Sequence, residues 1–225
     1  MKFRNIILAA AVMAFVVPAV SVAAELKDHK QKFSYSVGYR LALSLKAEGL
    51  DVDADAFSTA MKDALSGGKA ALTDEEMQAA LTEERDIQLK TLQDKIAENK
   101  KAGDKYRAEN AKKEGVTTLE NGIQYKVITS GKGKQASADS QVTVHYRGTL
   151  VNGTEFDSSY KRDKPATFGL TGVIKGWQEV VPKMKVGDKW QVVIPPELGY
   201  AEKGAGNVIG PGETLLFEIE LLEVN

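Results

Sequence analysis

The side chains of this sequence that could do chemistry are mostly apolar and aromatic, and they are concentrated in its C-terminal half. The set comprises Tyr146, Phe156, Phe168, Val173, Ile174, Trp177, Tyr200, Ile209 and Phe217, with Asp157 and Arg162 close in sequence to Phe156. Such residues can enclose an apolar group in a dry pocket that has a few polar groups at its rim. Periodicity alone favours a simpler interpretation, in which the same residues fill a core beneath a helix.

Nucleophilic and metal chemistry are largely excluded by what the sequence lacks. It has no cysteine, and therefore no thiolate nucleophile, disulfide or Cys-ligated metal. Its two histidines, His29 and His145, are far apart in sequence and form no metal-binding motif. His145 alternates with Tyr146 along a predicted strand, so we expect it on the opposite face, as a bystander rather than a base. The sequence predicts neither a metal nor a cofactor.

Phosphate and nucleic-acid binding are not indicated either. The segment 131–134 lacks the Walker spacing, and the segment 204–210 lacks both the dinucleotide-binding spacing and a following helix. Thirty Lys and Arg residues stand against 31 Asp and Glu, so no global basic field attracts nucleic acid or an anionic membrane. We expect partners to be recognised by shape.

Residues 1–24 have the pattern of a secretory signal peptide. Lys2 and Arg4 precede an apolar run over 6–17, and small residues lead to a cleavage site after Ala24. The run is shorter than the roughly 20 residues that a spanning helix needs, so we expect no stable membrane insertion. An uncleaved anchor is the alternative. The sequence therefore predicts an exported protein, located in a bacterial periplasm or, alternatively, on the outer surface or secreted.

Residues 25–115 predict helices. In 25–72, apolar residues recur every four positions until Gly67-Gly68 ends the pattern. These short helices bury little surface alone, so we expect residues 25–96 to pair with a second copy as a homodimer. A small self-contained helical domain is the alternative.

Residues 73–115 predict one long connecting helix. Thr73 and Glu76 form a capping-box pattern that opens it, and helix formers continue to Glu114. An apolar stripe covers its first half, but beyond Ala97 almost all residues are polar. We expect that second half to be solvated on all sides, as a semi-rigid strut.

Residues 116–225 predict strands and turns. Asn121-Gly122 and Asn152-Gly153 are hairpin-turn signals, and the latter explains Asn152-Gly153-Thr154 better than glycosylation does. Apolar residues at 177, 180, 181 and 184 indicate one short helix that packs on the sheet. The predicted class is α+β, with an all-α region ahead of it.

Several segments of the C-terminal half, in order and with ordinary spacings, resemble the FKBP-type peptidyl-prolyl cis-trans isomerases. They are VHYRGTL at 144–150, G at 153 with FDSS at 156–159, VIKGW at 173–177, GD at 187–188, IPP at 194–196, GY at 199–200 and the stretch 216–222. The helical half resembles the exported subgroup of macrophage infectivity potentiators and FkpA isomerases, whose helical parts dimerise. The resemblance implies a five-stranded antiparallel sheet around a short helix.

By matching position, the resemblance implies a site. Trp177 would lie beneath the proline ring of a substrate, and the Ile174 backbone N–H and the Tyr200 hydroxyl would face substrate carbonyls. Asp157, held by Arg162, would line the rim. The catalytic residues implied are thus Asp157, Ile174, Trp177 and Tyr200. The substrate-binding residues implied are Tyr146, Phe156, Arg162, Phe168, Val173, Ile209 and Phe217.

Three positions depart from the pattern of the human-type family members. Ala166 replaces a frequent aromatic residue, Gly172 an acidic one and Ala205 a histidine. We expect a smaller and plainer rim, which puts side-chain selectivity and macrolide affinity in question more than activity.

The function implied is isomerisation of X-Pro bonds in proline-containing, unfolded or partly folded exported proteins, with chaperone activity from the helical dimer. Macrolides such as FK506 are expected inhibitors. Because the reaction needs no bond to a nucleophile, an apolar pocket without a cofactor suits it. The alternative is a non-catalytic chaperone or adhesin that uses an FKBP-like domain for binding. A structural envelope protein is a third interpretation.

Overall fold

The computed structural model describes residues 26–225, which form two compact units. The first unit ends at Thr73, and the second runs from Asp74 to Asn225. The signal peptide predicted for residues 1–24 lies outside the described residues. Within residues 26–225, no helix combines the length and the apolar character needed to cross a membrane.

The first unit contains two helices whose ends are defined by local capping residues. Helix α1 (His29–Ala47) follows Asp28, whose carboxylate accepts a hydrogen bond from the Gln31 N–H at 2.8 Å. The Gln31 side chain accepts one from the Asp28 N–H in return, which completes a capping box. Helix α2 (Ala54–Ser66) ends at Gly67, whose φ of 72° is the left-handed conformation that favours glycine. The predicted helix stop at this position is confirmed.

The apolar side chains of these helices lie at the surface of the described chain. Neither α1 nor α2 has a buried residue, and Phe33 and Leu65 are 62% and 81% exposed. Further exposed apolar residues are Tyr35, Val37, Tyr39, Leu41, Leu43 and Met61. The first unit therefore gains little stabilisation from apolar burial of its own.

The second unit begins with the long helix α3 (Asp74–Asn110), which spans about 55 Å at the usual rise per residue. It starts directly after Thr73, as predicted, and ends four residues before Glu114, the predicted end. Gly115 then takes a φ of 77° and leads into the first strand. The predicted long helix is thus confirmed, and it ends earlier than predicted.

The two halves of α3 differ from each other in burial. The first half exposes its apolar stripe, including Leu81 and Leu92. The prediction that the second half is solvated on all sides is wrong, because Asn99 and Gly103 are buried there. Its contacts with the sheet are polar ones, which a search for apolar periodicity does not detect. Arg107 O, for example, accepts a hydrogen bond from the side-chain amide of Gln124 at 2.9 Å.

One antiparallel sheet forms the body of the second unit. Its strands are β1 (Val116–Thr118), β2 (Gln124–Thr129), β3 (Gln141–Leu150), β4 (Glu155–Ser158), β5 (Ala166–Gly169), β6 (Lys189–Ile194) and β7 (Leu215–Val224). The order is β1-β2-β6-β7-β3-β4, and β5 also pairs with β3. Because β4 and β5 pair with different parts of one edge of β3, they share a position in the sheet. Apart from the three-residue β1, the strands fill the five predicted positions.

Both predicted hairpin turns are present. Gly122, with a φ of 82°, lies between β1 and β2, and Gly153, with a φ of 87°, lies between β3 and β4. Along β3, burial alternates with the side chains of Val142, Val144 and Tyr146 on the buried side. This alternation fixes which face of the sheet is covered.

The core lies between the sheet and the short helix α4 (Lys175–Val180). The four residues predicted to face the sheet from this region, Trp177, Val180, Val181 and Met184, are all buried. Pro182 falls in the 3-10 turn after the helix, where the predicted end of regular helical hydrogen bonding occurs. Other fully buried core residues are Ile123, Leu170, Ile194, Leu215, Ile219 and Leu221.

Candidate active site

A cavity of about 600 Å³ opens at the side of α4 and is walled by sheet residues and by the loop between β6 and β7. Its size falls within the usual range for small-molecule sites. The lining residues are Tyr146, Phe156, Asp157, Phe168, Gly172, Val173, Ile174, Trp177, Tyr200, Ala205, Gly206, Ile209 and Phe217. The floor and walls are thus mainly aromatic and branched apolar side chains.

The floor of the cavity is the indole ring of Trp177, which is 4% exposed. Three rings meet it nearly edge to face, with centroid distances of 5.5 Å to Tyr146, 5.9 Å to Phe168 and 5.4 Å to Phe217. Its Nε1 has no hydrogen-bond partner among the described residues. The ring is therefore oriented by aromatic packing, an arrangement favoured by the aromatic quadrupoles.

Gly176 explains how the indole comes to lie so deep. A Cβ at this position would be 2.5 Å from a methyl carbon of Ile194 in β6. Only glycine allows α4 to approach the sheet this closely, and the close approach places Trp177 in the core. Gly148 has a similar role in β3, because a Cβ there would be 2.5 Å from the ring of Phe156.

Three polar side chains form a closed network at the rim. Arg162 Nη1 donates to Asp157 Oδ1 at 2.5 Å, and Arg162 Nη2 donates to the Tyr146 hydroxyl at 2.9 Å. The Tyr146 hydroxyl donates in turn to Asp157 Oδ2. The Ser158 N–H also donates to Asp157 Oδ1 at 2.8 Å, so three partners hold the carboxylate in one orientation.

The same network sets the protonation states at the rim. Burial by itself would raise the pKa of Asp157, but the hydrogen bonds from Tyr146 and Arg162, with the charge of Arg162, outweigh it and lower that pKa. Burial and the neighbouring carboxylate raise the pKa of Tyr146. Near neutral pH, Asp157 is a carboxylate and Tyr146 a neutral phenol, so neither changes charge there.

Ser159 fixes the backbone that carries this network. Its hydroxyl accepts a hydrogen bond from the Tyr146 N–H at 2.8 Å and donates to the Tyr146 carbonyl at 3.2 Å. The Ser159 carbonyl accepts from the Arg162 N–H at 3.2 Å. A fully buried serine thus ties β3 to the turn that carries Arg162.

The loop after β6 supplies the remaining wall. Ala205 and Ile209 exchange two backbone hydrogen bonds, at 2.9 and 3.2 Å, which fold the loop back on itself. Tyr200 lies at the rim, where 38% of it is exposed, and Ile209 is nearly buried. A hydroxyl and an apolar side chain therefore border the opening on this side.

Ten of the eleven predicted site residues line this one cavity. The exception is Arg162, which is not among the lining residues and reaches the site through Asp157 and Tyr146. His145 lies outside the cavity, as expected; its Nδ1 is 3.0 Å from Ser159 Oγ, and its ring stacks on Tyr160.

The structure adds a lining residue that sequence reasoning missed, Gly206. Gly172 and Ala205 also line the cavity, so two of the three positions that depart from the family pattern do border it. Ala166, the third, packs half-buried against the core without lining the cavity. Glycine and alanine carry little indication in the sequence that they line a cavity. They are recognised as lining residues only from their position in the folded loop.

A wider hollow, of about 1080 Å³, lies along the start of α3. Its walls come from this helix alone, and four of the nine lining residues are acidic: Asp74, Glu75, Glu83 and Asp86. It has neither aromatic walls nor convergent polar groups from different elements. Among residues 26–225, no cluster of three acidic or histidine side chains could hold a metal ion. The aromatic cavity is therefore the candidate site.

Comparison with known proteins agrees with this geometry. A family model described as FKBP-type peptidyl-prolyl cis-trans isomerase matches residues 132–222. A second, described as the domain amino terminal to FKBP-type peptidyl-prolyl isomerase, matches residues 30–127. The Peptidyl-prolyl cis-trans isomerase Mip of Coxiella burnetii is 42% identical over 206 residues, which is 90% of each chain.

Two further relatives extend the comparison. The Outer membrane protein MIP of Legionella longbeachae is 40% identical over 92% of this chain and 90% of its own length. The crystal structure of FkpA from Escherichia coli superposes with a TM-score of 0.64 at 34% identity, over 89% of this chain and 98% of that one.

The fold is an α+β domain that follows a long helix, and its aromatic cavity has the size of a small-molecule site. The chain belongs to the FKBP-type peptidyl-prolyl cis-trans isomerases, and it is an isomerase of X-Pro peptide bonds. Members of this family bind proline-containing substrates and FK506-type ligands.

Proposed function

We propose that isomerisation takes place in the aromatic cavity, with the substrate proline ring on Trp177. Tyr146, Phe156 and Phe217 would enclose the ring, and Phe168, Val173 and Ile209 would complete the apolar wall. The observation that carries this proposal is that the indole ring of Trp177 lines an open cavity and is held there by three rings nearly perpendicular to it. A pyrrolidine ring is apolar and compact, and it fits such a floor.

The chemistry follows from the low polarity of the cavity. The planar amide is more polar than the twisted one, so removing water from its carbonyl penalises the ground state more than the transition state. Walls that fit a twisted geometry add differential binding. A thousandfold acceleration requires about 4 kcal/mol, which desolvation, shape and one or two hydrogen bonds supply together. The Ile174 backbone N–H and the Tyr200 hydroxyl are the proposed donors to substrate carbonyls.

Asp157 has a positional and electrostatic role in this proposal. Because its carboxylate is already bound by Tyr146 and Arg162 and its pKa is lowered, it is not a proton donor near neutral pH. Arg162 binds no substrate atom directly but holds Asp157 and Tyr146 in place. With Gly172 and Ala205 at the edge, the rim offers few side chains that would select the residue before proline.

Substitution at the floor and rim of the full-length protein tests these roles. We expect Trp177→Leu to lower kcat/KM for short proline peptides by about tenfold or more, since most of the ring contact is lost. Asp157→Asn, which keeps the shape but removes the charge, should lower it by about tenfold, in line with the loss of charge-assisted hydrogen bonds. A protease-coupled proline-peptide assay measures both.

Asp163→Asn is the matched control, because Asp163 is an exposed carboxylate in the same turn and asparagine also tolerates its left-handed conformation, with a φ of 48°. This variant should stay within twofold of the unchanged protein. Full activity in both Trp177→Leu and Asp157→Asn would contradict the proposed site. FK506 should compete with peptide in the unchanged protein and bind more weakly to Trp177→Leu.

The helical region is proposed to join two copies of the chain through residues 25–96. The support is the exposed apolar surface of α1, α2 and the first half of α3, which a second copy would cover through a self-complementary interface. The match of residues 30–127 to the amino-terminal domain of the family is a further support.

A dimer of this kind would also act as a chaperone for exported proteins. Two cavities that bind the same unfolded client raise its effective concentration at each site, and apolar helical surface can hold the client between turnovers. A periplasmic location fits the predicted signal peptide, and one relative is named an outer membrane protein. A fractionation experiment that follows the processed chain would test the location directly.

A further inference from the structure

One wall of the candidate cavity, residues 199–212, lacks strands and α-helices and needs outside support to keep its shape. Three of its glycines, Gly204, Gly206 and Gly212, have φ values of 66°, 56° and 72°, and Ala201 also has a positive φ of 50°. Glycine-rich segments lose much conformational entropy when they are ordered. The contacts that this segment makes therefore decide how well the wall is defined.

Within the segment, hydrogen bonds close the loop, and two backbone bonds, from the Gly199 and Ala201 N–H groups to the Pro196 carbonyl at 3.0 and 2.8 Å, tie it to the turn just before it. Ala205 pairs with Ile209, and the Gly212 N–H donates to the Ala201 carbonyl at 2.8 Å. These bonds make a closed unit that carries Tyr200 and Ile209 at the cavity. Ile209 packs in the core cluster that contains Trp177, and a second attachment holds the polar part of the unit.

Helix α3 makes that attachment. Asn99 Nδ2 donates to the Pro211 carbonyl at 2.8 Å, and Asn99 is 7% exposed. The backbone of α3 also packs closely against the loop, because a Cβ at Gly212 would be 3.2 Å from the Ile96 carbonyl oxygen. At the other end of the loop, Lys100 Nζ is 2.6 Å from a carboxylate oxygen of Glu202.

We propose that Asn99 is a positioning residue for the isomerase reaction, acting through Pro211 to hold the loop that carries Tyr200 and Ile209. This inference rests on the proposed function of the cavity. An amide side chain suits the task because it reaches a backbone carbonyl without adding charge. Since Asn99 is buried and its contact with Pro211 is partly shielded from solvent, water only partly replaces the lost donor when Asn99 is removed, and the Pro211 carbonyl loses its side-chain partner.

The neighbouring ion pair is a weaker attachment. The side chains of Lys100 and Glu202 are 38% and 61% exposed, and exposed pairs of this kind contribute little. Lys100→Ala should therefore change activity less than Asn99→Ala does. The difference between these two variants separates a buried hydrogen bond from a surface charge on the same turn of the helix.

The test uses the full-length protein with Asn99→Ala and the isosteric Asn99→Asp, which lacks the donor. We expect kcat/KM for proline peptides to fall by about threefold to tenfold in both, the scale of one buried hydrogen bond. Amide hydrogen exchange of Ile209 and Gly212 should quicken by a similar factor, while that of core strands β3 and β7 stays unchanged. Lys101→Ala, at the adjacent exposed lysine, is the matched control and should change neither quantity.

Two results would overturn the inference. One is activity within twofold of the unchanged protein in both Asn99 variants. The other is faster exchange throughout the domain, in parallel with a lower urea midpoint, which would make Asn99 a general stability residue. Asp157→Asn separates this failure from failure of the proposed function: if that variant and Trp177→Leu keep full activity, the cavity assignment fails whatever the loop does.

Discussion

The two units of the described chain differ in where their apolar side chains lie. In the unit that contains the sheet, Val142, Ile219 and Leu221 are fully buried between the sheet and α4. In the helical unit, α1 and α2 bury no residue at all. The first kind of unit holds its shape through its own core, whereas the second exposes the surface that a core would need.

The difference shows that apolar side chains serve two purposes in one chain. The sheet unit uses apolar residues to place a cavity with fixed walls, which a catalytic site needs. The helical unit presents them at the surface, where contiguous apolar patches mark interaction sites. The proposed dimer and client binding follow from that exposure, and four experiments can break or sharpen the contrast.

The largest effect is expected for charges placed in the apolar face of α1. Val37→Glu combined with Leu41→Glu, one turn apart, should convert the proposed dimer into monomers, because burying two carboxylates at an interface is strongly unfavourable. Light scattering measures the mass. Activity on short proline peptides should stay within twofold, while refolding of a large client slows.

Lys32→Glu changes the formal charge by the same amount and serves as the control, since it replaces one exposed polar side chain by another. It should leave the mass unchanged. A double variant that keeps its dimer mass would show that this face of α1 is not the interface, and the contrast between the units would need another explanation.

The next largest effect is expected in the core of the sheet unit. Ile219→Ala should lower the free energy of unfolding by about 2 to 5 kcal/mol, the cost of a cavity at a fully buried position. Ile128→Ala, at a residue that is 47% exposed, should cost less than about 1 kcal/mol. Urea denaturation followed by tryptophan fluorescence compares them, and equal costs would contradict a self-contained core.

A smaller effect is expected where the second half of α3 packs within the unit that contains the sheet. A Cβ at Gly103 would lie 2.2 Å from Thr214 Oγ1, so Gly103→Ala should cost about 1 to 3 kcal/mol of stability through overpacking. In a solvated helix the same change would be stabilising. Lys105→Ala, on the exposed side, is the control. If Gly103→Ala were more stable than the unchanged protein, the second half of α3 would be solvated, as the sequence predicts.

No effect at all is expected from pH near neutrality. The lowered pKa of Asp157 keeps it charged, so the stability from its ion pair is present above the ordinary Asp value and is lost only as pH falls through the lowered one. The raised pKa of Tyr146 keeps its hydroxyl as a donor. The kcat of the isomerase should therefore not change between about pH 5.5 and 8.5. This window lies above the ordinary pKa of an aspartate and below that of a tyrosine. A bell-shaped profile in this window would contradict the proposed roles.

Much of the fold could be predicted because its signals are local. The helix stop at Gly67, the turns at Gly122 and Gly153 and the alternation along β3 each depend on a few neighbouring residues. The buried face of α4 also followed from spacing alone. The grouping of the site residues in one cavity could not be derived this way, because they come from distant segments, and it was expected only through the resemblance to a family.

The polar face of α3 escaped prediction for a physical reason. Its contacts are made by Asn99, Arg107 and Asn110 through hydrogen bonds, so no apolar stripe marks it. A signal did exist, since Gly103 lies inside a run of strong helix formers, where a glycine is unfavourable unless close packing requires it. The division of one sheet edge between β4 and β5 depends on long-range pairing and was equally invisible.

Because the last turns of α3 are attached to the sheet, the length of the helix sets the rotation of its Asp74 end around the helix axis, relative to the cavity. Each residue turns the helix by about 100°. One residue inserted ahead of Ile96 would therefore rotate the Asp74 end by that angle around the helix axis, while the cavity stays where it is. Seven inserted residues would lengthen the helix by about 10 Å and restore its direction to within about 20°. In the proposed dimer, changes in helix length that preserve the relative orientation of the two cavities should therefore come in whole heptads.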